Sequence, residues 1–360
     1  MIKNHTKQKM LNKILFKIFG AFDVFKDFLF TWGIRILIFL FVCVILHNLA
    51  KINEISSLYN GEYKKMYPVY DEENKFMNLY TVGEGSKTLV ILPAFGSPSP
   101  AIQYKTLVES LKNEYKVVVV EYFGYGYSMS MKEHPRTNEN IAAEIKKVLE
   151  LAGISGPYVL MPHETSNVYA MYFQNAYPEL VQGIVSIDGT YPAEIKDDYY
   201  KKQLTDRVSN VNITSIFELT GYERVLSYVK GDEFYIDKMK NMPDIYGKEE
   251  IKVYRNRIGS SYLSRTMVRE INKLEDNMNQ MQDYKYPDYL PVLEILASDT
   301  VSKYNSAKSN GATIDLKGLA QGTITNPDIQ KIEEIKGDNV IQLTNPTELI
   351  NSIRNFLTSF

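Results

Sequence analysis

The stretch "YVLMPHETSNVYAMYFQNAYPEL", residues 158–180, begins as an apolar strand, turns sharply at Pro162-His163-Glu164-Thr165-Ser166-Asn167 and leaves as a helix. Some enzymes mount a nucleophile on such a strand–turn–helix. The residue at the tip is Glu164.

Outward from this turn, strands and helices alternate. Residues 88–94 ("TLVILPA") and 116–123 ("KVVVVEYF") read as strands, the second a β-branched run suited to a sheet covered on both faces. Residues 101–112 read as an amphipathic helix, and 137–153 as a helix opened by a Thr or Asn cap and closed by Gly153. Further strands are expected at 181–189, 291–298 and 329–337, with a final helix at 346–357. Upstream, "YPVYDEENKFMNLYTVGEG" reads as a β-hairpin turning at Asp71 to Lys75. Repeated βα units imply a mostly parallel sheet with right-handed crossovers. Between Thr190 and Asp288 the alternation stops, and the polar, helical text there implies a cap over the carboxyl edge of the sheet. Gly189 and Pro291, at its two ends, are expected to lie close together.

The chain has 360 residues, 44% of them hydrophobic, enough for one large domain and an appendage. A net charge of -2 without a basic excess argues against nucleic acid as a partner. The one cysteine, Cys43, excludes a disulfide framework and a CxxC metal site. There is no P-loop or HExxH, and "GYGYS" at 124–128 lacks the third glycine of a dinucleotide fingerprint. No cofactor or metal is expected.

The N-terminus holds "FLFTWGIRILIFLFVCVILHNLA", residues 28–50, about as long as the roughly 20 residues a bilayer span needs. Arg35 can snorkel to the interface, beside Trp32. Lys3, Lys7, Lys9, Lys13, Lys17 and Lys26 precede the run, against Asp23 and Asp27, which places the N-terminus in the cytoplasm. "LHNLAKI" is a poor cleavage site, Cys43 follows Val42 where a lipoprotein needs a small residue, and the run lacks the stripe of a buried core helix. An uncleaved anchor fits best. The expected organisation is a cytoplasmic amphipathic tail (1–28), a transmembrane anchor (29–49), a stalk (50–66) and an extracytoplasmic domain in the cell membrane's outer space (67–360), with its cap at about 190–288.

Four segments, in order, resemble the α/β-hydrolase superfamily: "LPAFGSPSPAIQYKTL", "VVVVEYFGYGYS", the elbow segment and "NVIQLTNPTELINSIRNFL". The resemblance covers about residues 66–360 and implies that fold, with helices on both faces of the sheet. It also implies a nucleophile on the elbow, a histidine base, a carboxylate and two oxyanion-binding amides. Carried over position by position, the nucleophile falls on Glu164 and the oxyanion amides on Phe95 and Thr165. The acid falls on Asp299 and the histidine on Asn339. The flanking glycines fall on Pro162 and Ser166, changes expected to loosen or reshape the turn.

The chain has four histidines, His5, His47, His134 and His163, and none follows the elbow. Glu164 therefore has two readings. It is a carboxylate nucleophile, as aspartate is in relatives acting on haloalkanes and epoxides, or a pocket carboxylate in a pseudoenzyme. The missing base favours the second. The degenerate site then serves binding of a small apolar ligand or a protein partner. The alternatives are an active hydrolase of ester-like substrates built around Glu164 and Asp299, and a subunit of a membrane complex.

Overall fold

The computed structural model describes residue 26, residues 28–52 and residues 61–360. The expected amphipathic tail lies almost wholly outside the described residues, as do residues 53–60 of the expected stalk. Helix α1, Phe28–Ile52, is long and apolar enough to cross a membrane.

The domain begins with the expected hairpin, β1 (Met66–Tyr70) and β2 (Lys75–Val82), turned by Asn74 in the left-handed region at φ 51°. It continues with β3 (Thr88–Leu92), helices α2 (Pro100–Gln103) and α3 (Lys105–Leu111), and β4 (Lys116–Glu121). Then come α4 (Asn138–Leu151), β5 (Tyr158–Pro162), α5 (Ser166–Ala176) and β6 (Val181–Ile187). Helices α6 (Asp198–Glu218), α7 (Tyr222–Val229), α8 (Ile236–Lys240), α9 (Lys248–Ser261) and α10 (Arg265–Met281) follow. The chain closes with β7 (Val292–Ala297), α11 (Ser298–Ala307), α12 (Leu316–Thr323), β8 (Gln330–Ile335), α13 (Ile341–Thr344) and α14 (Pro346–Leu357).

All eight strands join one sheet in the order β1-β2-β4-β3-β5-β6-β7-β8, with the β1–β2 and β2–β4 pairs antiparallel and the other pairs parallel. The strand periodicity of two divides the core. Val90, Leu92, Val118, Val120, Leu160 and Ile184 pack on one face. Leu89, Ile91, Val117, Val119, Val159 and Val185 pack on the other. Both faces are dry, which is why these strands read as unbroken apolar runs.

Local signals set the ends of α4. The Thr137 side chain accepts the Asn140 amide at its start. At its finish Gly153, at φ 69°, donates to Glu150 and Ile154 donates to Leu149, the paired bonds of a Schellman motif.

Gly189 and Pro291 do not lie together. Because β6 and β7 are parallel, Gly189 follows the carboxyl end of β6 while Pro291 accepts the Ile184 amide near the other end. Five residues of strand, about 16 Å, separate those levels. The chain must therefore travel back across the sheet, and α10 carries it. Its residues Met267, Ile271, Leu274, Met278 and Met281 form a buried stripe at helical spacing in the main core. The last helix of the expected cap is thus a crossover helix.

Helix α10 also buries Glu270, whose Oε1 accepts the hydroxyls of Tyr125 (3.0 Å) and Tyr169 (3.2 Å). Burial pushes its carboxyl up to about 7, although the Arg136 guanidinium opposes the shift. Arg136 itself is wholly buried and donates to both oxygens of Glu144, at 2.8 and 2.7 Å.

A raised carboxyl binds its proton more tightly in the folded state than in the unfolded chain. That stability is complete below the unfolded value near 4.5 and is lost as pH rises through about 7. The thermal midpoint should therefore fall between those pH values, and Glu270→Gln should flatten that fall. An unchanged slope in melting curves of the variant would contradict the assignment.

Candidate functional site

The elbow is built by backbone bonds that no side chain supplies. The His163 amide donates to Leu92 O (3.0 Å), continuing the β5–β3 ladder by one residue. The Glu164 amide then donates to Ile187 O at 3.1 Å, and Glu164 O accepts the Thr190 amide at 3.0 Å. Held from both sides, Glu164 adopts φ 47°, a conformation costly for a residue with a Cβ. Helix α5 starts two residues later, with Asn167 donating back to Glu164 O at 3.0 Å.

Pro162 and Ser166 do not loosen this turn. Pro162 stays in β5 opposite Leu92. The Ser166 hydroxyl donates to Pro93 O and so accepts from the Tyr122 hydroxyl at 2.9 Å. The side chain at the glycine position thus stitches the elbow to the ends of β3 and β4.

Glu164 and Asn339 meet: the Asn339 side-chain amide donates to Glu164 Oε1 at 2.5 Å. Asn339 lies between β8 and α13. Its backbone carbonyl accepts from His163 Nε2 at 2.6 Å. A carbonyl can only accept, so Nε2 carries the proton and Nδ1 offers its lone pair. Nδ1 takes the Tyr104 hydroxyl at 2.6 Å, and that oxygen accepts the Ala94 amide at 2.9 Å. Burial raises the Tyr104 phenol well above its ordinary value. Both His163 nitrogens are therefore engaged beneath the elbow, and the ring is fully buried.

Asp299 is elsewhere. It is exposed in the first turn of α11, where its amide donates to Gly337 O at 3.1 Å and its Oδ1 accepts from the Ser298 hydroxyl. The buried carboxylate near Glu164 is Asp188, just past β6. It accepts the Ala297 amide at 3.0 Å and the Thr300 hydroxyl at 2.7 Å, at φ 47°. Burial raises its carboxyl, and the Glu164 charge adds to the rise. The buried carboxylate beside Glu164 is thus Asp188, not the exposed Asp299. The reason is register: β6 and β7 pair Ile187 with Ile295, so Asp188 ends level with the last turn of backbone before α11. The signal in the sequence was the "SIDG" at the end of the strand after the elbow.

Phe95 and Glu164 line a cavity of ≈ 60 Å³, closed from the cap side by Phe234, Tyr235, Tyr254 and Tyr262. Among the described residues, no hydrogen bond consumes the Phe95 or Thr165 amide. Burial, and then the Glu164 charge, push the Tyr235 phenol up. His134 is remote, stacked on Tyr70 at 4.2 Å with Nε2 3.0 Å from Glu73. Among the described residues no cluster of His, Cys, Asp and Glu is placed to hold a metal.

The sheet order, the elbow after β5 and the cap after β6 define the α/β-hydrolase fold. Solved structures agree. Cfl2 from Burkholderia cenocepacia superposes with a TM-score of 0.59 at 17% identity, over 81% of this chain and 94% of its own. A point variant of an epoxide hydrolase from Bacillus megaterium gives 0.59 at 16%, over 79% and 97%. A thermophilic esterase from Thermogutta terrifontis gives 0.52 at 16%, over 79% and 94%. In sequence, the uncharacterised protein YbdG of Bacillus subtilis (strain 168) is 26% identical over 317 residues, 88% of this chain and 92% of its own. No family model matches the chain.

Tyr104→Phe would strip one partner from both the buried His163 ring and the Ala94 amide. The expected loss of stability is on the order of 2 kcal/mol, read as a lower urea midpoint at unchanged slope. A midpoint within error of the wild type would mean that the Tyr104–His163 pair does not brace the elbow.

Proposed function

We propose that this chain is a single-pass, membrane-anchored α/β-hydrolase-like protein that has lost hydrolytic chemistry and uses its site to bind. The observation that carries the reading is the Asn339–Glu164 hydrogen bond at 2.5 Å. The nucleophile and base positions hold groups that are each other's partners. An amide nitrogen donates but has no lone pair to take a proton. Nothing at that position can activate a nucleophile or the water that would hydrolyse an ester formed on Glu164. His163 is no substitute, because both its nitrogens are committed.

The oxyanion amides of Phe95 and Thr165 suit the recognition of a ligand oxygen. The cavity beside Glu164 is too small for more than a terminal group. It shares Phe95, Gly96, Phe234 and Tyr262 with a groove of ≈ 610 Å³, which is of ligand size. A small, largely apolar ligand whose polar end reaches the elbow fits this arrangement. A protein partner at the cap, or assembly into a membrane complex, would also use a site without turnover.

The purified protein should show no turnover of activated esters beyond that of Glu164→Gln. A missing base alone removes roughly 10²–10⁴-fold. Clear wild-type turnover that vanishes in Glu164→Gln would establish the alternative, an active hydrolase with an atypical site.

The anchor reading puts the N-terminus in the cytoplasm and residues 67–360 outside the cell membrane. Protease added to intact cells stripped of their wall should cut or shed the domain. A protected domain with an accessible N-terminal tail would reverse the topology.

A further inference from the structure

Two cap helices pack on the core by Leu204, Val208, Val211 and Leu226 and leave a second set of apolar side chains in the open. On α6 the apolar Ile213, Ile216 and Phe217 stand at spacing i, i+3, i+4 and are 54%, 65% and 52% exposed. On α7, Val225, Tyr228 and Val229 repeat that spacing at 63%, 66% and 76%. Glu218, Glu223 and Ser227 of the same helices are buried beside these exposed apolar residues. Leu219, 53% exposed, joins the two rows. A continuous apolar face of this kind needs a cover.

Helix α1 ends at the corner between these two helices. His47 is the buried residue of α1, at 5% exposure, while the helix before it is largely exposed. It packs on Gly221, the residue between α6 and α7, where an added Cβ would come within 2.7 Å of His47 Nδ1. One turn further on, Lys51 Nζ lies 3.9 Å from Glu218 Oε1. From Phe28 to Leu46 the helix rises about 27 Å, close to the roughly 30 Å hydrocarbon thickness of a bilayer. His47 and the cap face beside it therefore sit at the depth where α1 leaves the membrane.

We infer that the exposed apolar face of α6 and α7 docks into the outer leaflet of the membrane that α1 spans, so that the domain lies on the bilayer by two attachments. This rests on the anchor reading above. The exposed apolar residues of the two helices enter the acyl boundary, as those of interfacial helices do. Tyr222 and Leu226 of α7 also line the groove that leads to Phe95 and Gly96 beside Glu164. Docking therefore brings the mouth of the binding groove against lipid, and an apolar ligand can enter from the bilayer.

The full chain in nanodiscs tests this, with lipids brominated near the top of the acyl chains as quencher. The native Trp32, the chain's one tryptophan, reports the anchor and should be quenched. In a Trp32→Phe background, Val225→Trp should likewise lose most of its emission to brominated lipid and resist aqueous iodide. Glu150→Trp, on exposed α4 away from the cap, should behave oppositely. Quenching of Trp32 without quenching at the Val225 position would overturn docking and leave the anchor intact. Loss of quenching at Trp32 would instead remove the anchor and the inference with it. Shielding of the Val225→Trp fluorophore from both quenchers would mean that a second copy or another protein covers the face, which also overturns it. Val229→Trp serves as the second reporter, so that one poorly folded variant does not decide the result.

Discussion

Glu164 sits at φ 47° because three neighbouring segments leave it no other conformation. Its amide is taken by Ile187 O, its carbonyl by Thr190 and Asn167, and His163 before it completes the ladder to Leu92. The Leu92 and Ile187 carbonyls stand at the ends of β3 and β6, so the turn exists only once β3, β5 and β6 are in register. The strain is local and the support is global. This explains how the turn survives Pro162 and Ser166, which replace the glycines of the resembled elbows. Ser166 even adds two bonds, to Pro93 and Tyr122.

The same scaffold carries a different polar cluster from a catalytic triad. The bond from Asn339 to Glu164 joins two groups that cannot exchange a proton at neutral pH to useful effect. Beneath them His163, Tyr104 and the Ala94 amide form a closed chain with donor matched to acceptor at every step. Such a chain rigidifies, since every member has its partner and a low dielectric penalises leaving one unpaired. Asp188 retains two donors, the Ala297 amide and the Thr300 hydroxyl, and so survives as a buried carboxyl without a histidine to orient.

The cap and the end of α1 meet at one surface. Helix α10 returns the chain across the sheet and is committed to the core, which leaves α6 to α9 as the cap. Of these, α8 and α9 bury Ile236, Met239, Tyr254 and Ile258 against the domain. Helices α6 and α7 pack Leu204, Val208, Val211 and Leu226 on it and keep Ile213, Ile216, Phe217, Val225, Tyr228 and Val229 outside.

By itself the sequence determined the α/β alternation, the hairpin, the elbow with Glu164 at its tip and the absence of a histidine after it. These are readable because they rest on local periodicity, on turn residues and on plain residue order. It also showed one run long and apolar enough to span a bilayer. What it could not determine was which carboxylate reaches the site. Asp188 and Asp299 both follow apolar strands, and only the pairing of Ile187 with Ile295 makes the first buried and the second exposed. Nor could it place the insertion's last helix, because a polar amphipathic segment suits a lid and a crossover alike. Parallel strands decided that, since a chain leaving one end of β6 must re-enter at the other end of β7. The exposed apolar residues of α6 and α7 were hidden for the same reason: periodicity reveals that a helix has an apolar side, and only packing decides how much of it the core covers.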